Sequence, residues 1–102
     1  MNGKVMFKEK INREIQDFRQ SFKSMQPVDV YNSSYKINFY EEYYMFLSSD
    51  FIDEYTQLIE WLSKFENPLE FLYSEWLGCD GAFSGDWNDM INFITNIYEK
   101  EE

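Results

Sequence analysis

The chain has 102 residues, 44% apolar and 21% aromatic, with a formal net charge of −10 and no histidine. That length suits a single domain, and 10 Phe, 8 Tyr and 3 Trp give it too much apolar surface for a disordered acidic tail. The lone Cys79 allows no internal disulfide, residues 1–10 do not read as a signal peptide, and no apolar run approaches the roughly 18–20 residues that span a bilayer, so a cytoplasmic protein is expected.

Phe7, Ile11, Ile15, Phe18, Phe22 and Met25 recur at steps of three and four, the stripe of an amphipathic helix. The residue before a proline avoids helical backbone, so this helix should end near Met25 or Gln26, ahead of Pro27. Its polar faces carry mixed charge, with Lys10–Glu14 and Arg13–Asp17 placed as i,i+4 pairs worth about 0.2–0.5 kcal/mol each.

Pro27 suits the first position of a second helix, along which Val30, Tyr31, Tyr35, Phe39, Tyr43 and Phe46 keep helical spacing. Asn32, Ser33 and Ser34 compete for backbone hydrogen bonds, which leaves either one bent helix over 28–47 or two helices broken near 33–36. The alternation of Tyr35, Ile37 and Phe39 keeps a short strand as a lesser alternative.

Ser48, Ser49 and Asp50 offer an N-cap for a third helix whose apolar face is Phe51, Ile52, Tyr55, Leu58, Ile59, Leu62 and Phe65. A fourth opens at Asn67-Pro68-Leu69-Glu70, with Asn67 as cap and Glu70 placed for a capping box, and Gly78 suits its stop. After a glycine loop over 78–85, Ser84 or Asp86 caps a last helix with an inner stripe of Trp87, Met90, Ile91, Ile94, Ile97 and Tyr98. The fold class is therefore all-α, a compact bundle of four to five amphipathic helices in one domain over residues 1–102.

The chemistry-bearing residues argue against an enzyme. Without histidine the commonest general base and metal ligand is missing, and Cys79 beside Asp80 lacks both a thiolate partner for zinc and an activating base. Ser84 is outside any Gly-x-Ser-x-Gly elbow, and no glycine-rich phosphate loop is present. Asp80, Ser84, Asp86 and Asp89 fail the spacing of a calcium loop, since its twelfth position is Ile91. No catalytic residue, metal or cofactor is expected.

Charge is the informative feature. Residues 1–36 hold seven bases against four acids, a net of +3, whereas residues 37–102 hold two bases against fifteen acids, a net of −13. A surface so negative repels nucleic acid and anionic membrane, and attracts basic proteins. The partner-binding candidates are Tyr40, Glu41, Glu42, Tyr43, Tyr44, Asp50, Asp53, Glu54, Glu60, Glu66, Glu70 and Glu75. Tyrosines 40, 43 and 44 flank Glu41 and Glu42, and rings beside carboxylates suit an arginine-rich groove. Helical carboxylates three or four residues apart are about 5–6 Å apart at Cβ, on the scale of phosphates along a strand, so the set could mimic a nucleic acid.

In size, acidity and absence of catalytic motifs the chain resembles the small acidic inhibitors that phages and mobile elements direct against host nucleases, anti-CRISPR proteins in particular. That resemblance implies a non-enzymatic inhibitor in a bacterial host cell, bound as monomer or homodimer to the basic nucleic-acid-binding groove of a Cas nuclease. More locally, residues 26–31 (Gln-Pro-Val-Asp-Val-Tyr), 67–77 (Asn-Pro-Leu-Glu-Phe-Leu-Tyr-Ser-Glu-Trp-Leu) and 86–94 (Asp-Trp-Asn-Asp-Met-Ile-Asn-Phe-Ile) resemble a family of small uncharacterised domains from Gram-positive bacteria and their mobile elements. That family brings no active site. The alternative reading is a helical adaptor or antitoxin-like subunit that pairs through an aromatic face.

Overall fold

A computed structural model of the chain describes residues 3–78 and 86–101. The described elements are α1 (Gly3–Gln20), α2 (Pro27–Asn32), α3 (Ser34–Ser48), a 3₁₀ turn (Asp50–Glu54), α4 (Thr56–Leu62), α5 (Pro68–Leu77) and α6 (Trp87–Glu101). The all-α expectation holds, with no strand among the described residues; the segment that left a strand open is helical. Cys79, Asp80 and the Ser84 cap alternative lie outside the described residues.

The first helix lies against α3, α4 and α5, and α6 packs on α4. Phe7, Ile11 and Ile15 of α1 are completely buried, as the stripe requires. They meet Phe39, Phe46 and Leu47 of α3, Leu62 of α4, Leu69 and Leu72 of α5, and Met90 and Ile94 of α6 in one core cluster. Aromatic side chains tie the helices together at its margin. Phe18 stacks on Tyr40 at 4.0 Å, and Trp61 meets Phe65, Phe71 and Tyr98 edge-on at 5.3–5.6 Å. Such pairs add about 0.5–1.5 kcal/mol each beyond their buried area.

Several boundaries differ from the sequence reading, each with a local cause. The first helix stops at Gln20 instead of Met25. The Ser21 hydroxyl donates back to the Phe18 carbonyl, and Phe22, Lys23 and Met25 continue in i→i+3 turns. The break in the second apolar stretch falls at Ser33, whose φ of −97° and ψ of 11° separate α2 from α3, so the two-helix alternative is the correct one. The third helix divides into the 3₁₀ turn and a short α4, parted at Tyr55. Ser48 and Ser49 do not cap it forward; their hydroxyls donate backward to the carbonyls of Tyr44 and Phe46 and close α3. Gly78 ends α5, as expected, in right-handed backbone. Asp86 caps α6, its Oδ1 accepting from the Asn88 amide at 2.8 Å.

Candidate interaction surface

The charged residues of α1 fasten the bundle. Glu14 is 8% exposed, and its two carboxylate oxygens accept from the amides of Leu69 at 2.8 Å and Glu70 at 2.9 Å. These are orphan donors of the first turn of α5, so a helix 55 residues away in sequence is capped by α1. Asn67 makes no side-chain cap bond, and Glu14 occupies the donors, which corrects the capping box expected at Asn67 and Glu70. Burial raises the Glu14 carboxyl above its ordinary value; the two amides pull the other way, and Glu70 adds to the rise. Burial also raises the Tyr40 hydroxyl, helped by Glu14, Glu70 and Tyr73.

The cations of α1 act on the opposite helix ends. Lys10 Nζ donates to the carbonyls of Ser63 at 2.6 Å and Phe65 at 3.0 Å, just beyond the C-terminus of α4. Lys8 Nζ donates to the Ser49 carbonyl after α3 and pairs with Asp53 at 2.9 Å. The i,i+4 reading of Lys10 and Glu14 is thus corrected, because each reaches across to a different helix terminus. Arg19 grips Glu41 in a two-pronged pair at 2.6 and 2.9 Å, and this pairing raises the guanidinium further. Lys36 stands 5.6–6.0 Å over the rings of Phe18, Tyr40 and Tyr73. Lys8, Lys10, Arg19 and Lys36 are thereby engaged within the fold.

Two of the twelve predicted partner-binding residues are not on the surface. Tyr40 and Tyr43 are core residues, 4% and 3% exposed, which corrects their placement on an open tyrosine–glutamate face. Tyr44 is half-buried, its hydroxyl donating to Asn12 Oδ1 at 3.0 Å and its ring under Arg19. Glu41 and Asp53 hold internal ion pairs, while Glu42 and Glu75 are half-buried. Asp50, Glu54, Glu60, Glu66 and Glu70 are exposed.

What the structure does bring together is a groove between the Glu54–Leu58 segment and α6. It is an open groove of about 470 Å³ lined by Glu54, Tyr55, Thr56, Gln57, Leu58, Thr95, Tyr98 and Glu99. A hollow of about 220 Å³ sharing Gln57 and Tyr98 adds Glu60, Trp61 and Lys64. Sequence reasoning found Glu54 and Glu60 but missed Tyr98 and Glu99 as their neighbours. Their only local signal was a carboxylate beside a stripe residue at the end of α6.

Met25, Val28, Tyr31 and Tyr35 are exposed apolar side chains before and within the short α2 and at the start of α3, the two tyrosines 77% and 76% exposed. Among the described residues no group of three or more His, Cys, Asp or Glu side chains is arranged to hold a metal, and no helix is long and apolar enough to cross a membrane. No known family matches the chain, and neither does any curated protein or solved structure.

Proposed function

We propose that the chain is a non-enzymatic binding protein whose acidic surface docks into a basic groove of a nucleic-acid-binding partner. In its specific form it is an inhibitor that mimics nucleic acid against a host-defence nuclease, a Cas effector above all. The observation that carries this reading is the unequal use of charge. Lys8, Lys10, Arg19 and Lys36 turn toward helix ends, carboxylates and rings of the chain itself, while Asp50, Glu54, Glu60, Glu66, Glu70 and Glu99 remain exposed. Exposed carboxylates that the chain's own cations do not neutralise attract a cationic groove and speed encounter with it.

The test is inhibition of DNA binding and cleavage by a panel of RNA-guided nucleases, followed from about 50 mM to about 500 mM salt. Inhibition by competition with nucleic acid that weakens steeply with salt is the expected result. Binding to a nuclease that persists unchanged at molar salt would sink the mimic.

The adaptor or antitoxin-like reading is favoured by the exposure of the apolar side chains Met25, Val28, Tyr31 and Tyr35. It predicts self-association or a partner that covers them, so light scattering of the wild type against Tyr31→Ser/Tyr35→Ser decides it. A strict monomer in both, with partner binding unchanged, removes that reading.

A further inference from the structure

We infer that the groove between the Glu54–Leu58 segment and α6 is the point at which the partner inserts an arginine side chain. This rests on the acidic-docking reading and assigns it a place. Glu54 closes the 3₁₀ turn and Glu99 sits in the last turn of α6, and both line the same groove. Neither forms an ion pair among the described residues. No lysine or arginine is among the residues that line the groove; Lys64 stands in the adjoining hollow beside Glu60. Lys100, in the same last turn of α6, is not among the residues that line the groove.

The lining chooses the occupant. Tyr55 and Tyr98 are half-buried aromatic residues, and Leu58 is buried between them in sequence. Flat rings with two carboxylates suit a guanidinium, which stacks on a ring face while its fork of N–H donors reaches carboxylate oxygens. A volume of about 470 Å³ accommodates the alkyl stem of a long side chain together with part of its backbone. By contrast, the hollow beside Met6, Glu9, Lys10, Arg13 and Ser63 carries two cations in its own lining. The groove is therefore where a basic partner finds both charge and shape.

The test titrates the full chain with a short arginine-containing peptide, with a lysine peptide of equal charge, and with spermine, reading backbone amide shifts and affinity. Arginine-peptide shifts confined to 54–58 and 95–99 are expected. Affinity should fall by about tenfold or more in Glu54→Gln/Glu99→Gln and by less than about twofold in Asp17→Asn/Glu66→Gln, whose exposed acids line neither hollow. Equal losses in the two double variants overturn the groove and leave general acidic docking standing. Absence of arginine-peptide binding at low salt overturns both. Tighter binding of the lysine peptide or of spermine at the same residues overturns the arginine assignment. The glutamine variants change exposed side chains only, and an unchanged thermal melt verifies that they fold.

Discussion

The α1 seam and the α4–α6 groove are both rich in charge and use it in opposite ways. Along α1, Lys8, Lys10, Glu14 and Arg19 each meet a fixed partner on another element. Around the groove, Glu54 and Glu99 meet none among the described residues. A charge inventory by sequence makes the first third of the chain look basic and the remainder uniformly acidic. The structure shows that internal commitments redistribute it, so the count of acids is a poor map of the surface a partner meets.

The comparison breaks most sharply at Glu14. Glu14→Ala leaves two backbone amides of α5 without their acceptor, one buried and one part-buried, a loss of about 2–4 kcal/mol. The midpoint of thermal unfolding should then drop by more than about 10 °C in a domain of this size. Circular dichroism checks it, and a drop below about 3 °C would remove the cap from the argument. Glu14→Gln should fall between Ala and wild type, since its amide nitrogen must face one of the two N–H donors.

The pH dependence of Glu14 follows from its raised carboxyl. Its folded value lies above 4.5, so the native state holds this proton more tightly than the unfolded chain. Stability from this group is full below 4.5 and is lost as pH rises through the folded value. The gap in melting temperature between wild type and Glu14→Gln should accordingly widen as pH falls toward 4.5. A gap that narrows over that range reverses the sign and overturns this account.

Smaller effects sharpen the contrast. Lys10→Met frees the carbonyls of Ser63 and Phe65, where water can partly replace the ammonium, and should cost about 1 kcal/mol. Hydrogen exchange should quicken selectively over 59–65. The Arg19–Glu41 pair is more exposed, and a double-mutant cycle should find only about 0.5 kcal/mol, shrinking with salt. At the groove, Glu54→Gln/Glu99→Gln should leave stability within about 0.5 kcal/mol of wild type, since neither side chain supports another element. Charge removal that is costly on α1 and nearly free at the groove distinguishes the two regions.

Much of the fold was legible. Phe7, Ile11 and Ile15, and Met90, Ile91, Ile94 and Ile97, announce their buried faces through spacing, and all are buried. Asp86 as a cap is also local, because a short polar side chain reaches only its own neighbours, and the break falls within the polar run the sequence marks, at the backbone of Ser33. Even the Tyr40 and Tyr43 correction had a signal. With Phe39, Phe46 and Leu47 they keep helical spacing on one face, which composition alone obscured.

The sequence by itself determined which segments are helices and which side each turns inward, because hydrophobic period and backbone geometry act over a few residues. Only the tertiary structure decided the partners of the long charged side chains. Glu14 could as well have bonded Lys10 on its own helix, yet the crossing of α1 brings the bare amides of α5 and the carbonyls past α4 within reach. A buried helix end demands a partner more strongly than an exposed i,i+4 pair rewards one. The same packing put Glu54 and Glu99, 45 residues apart in the chain, into the lining of one groove.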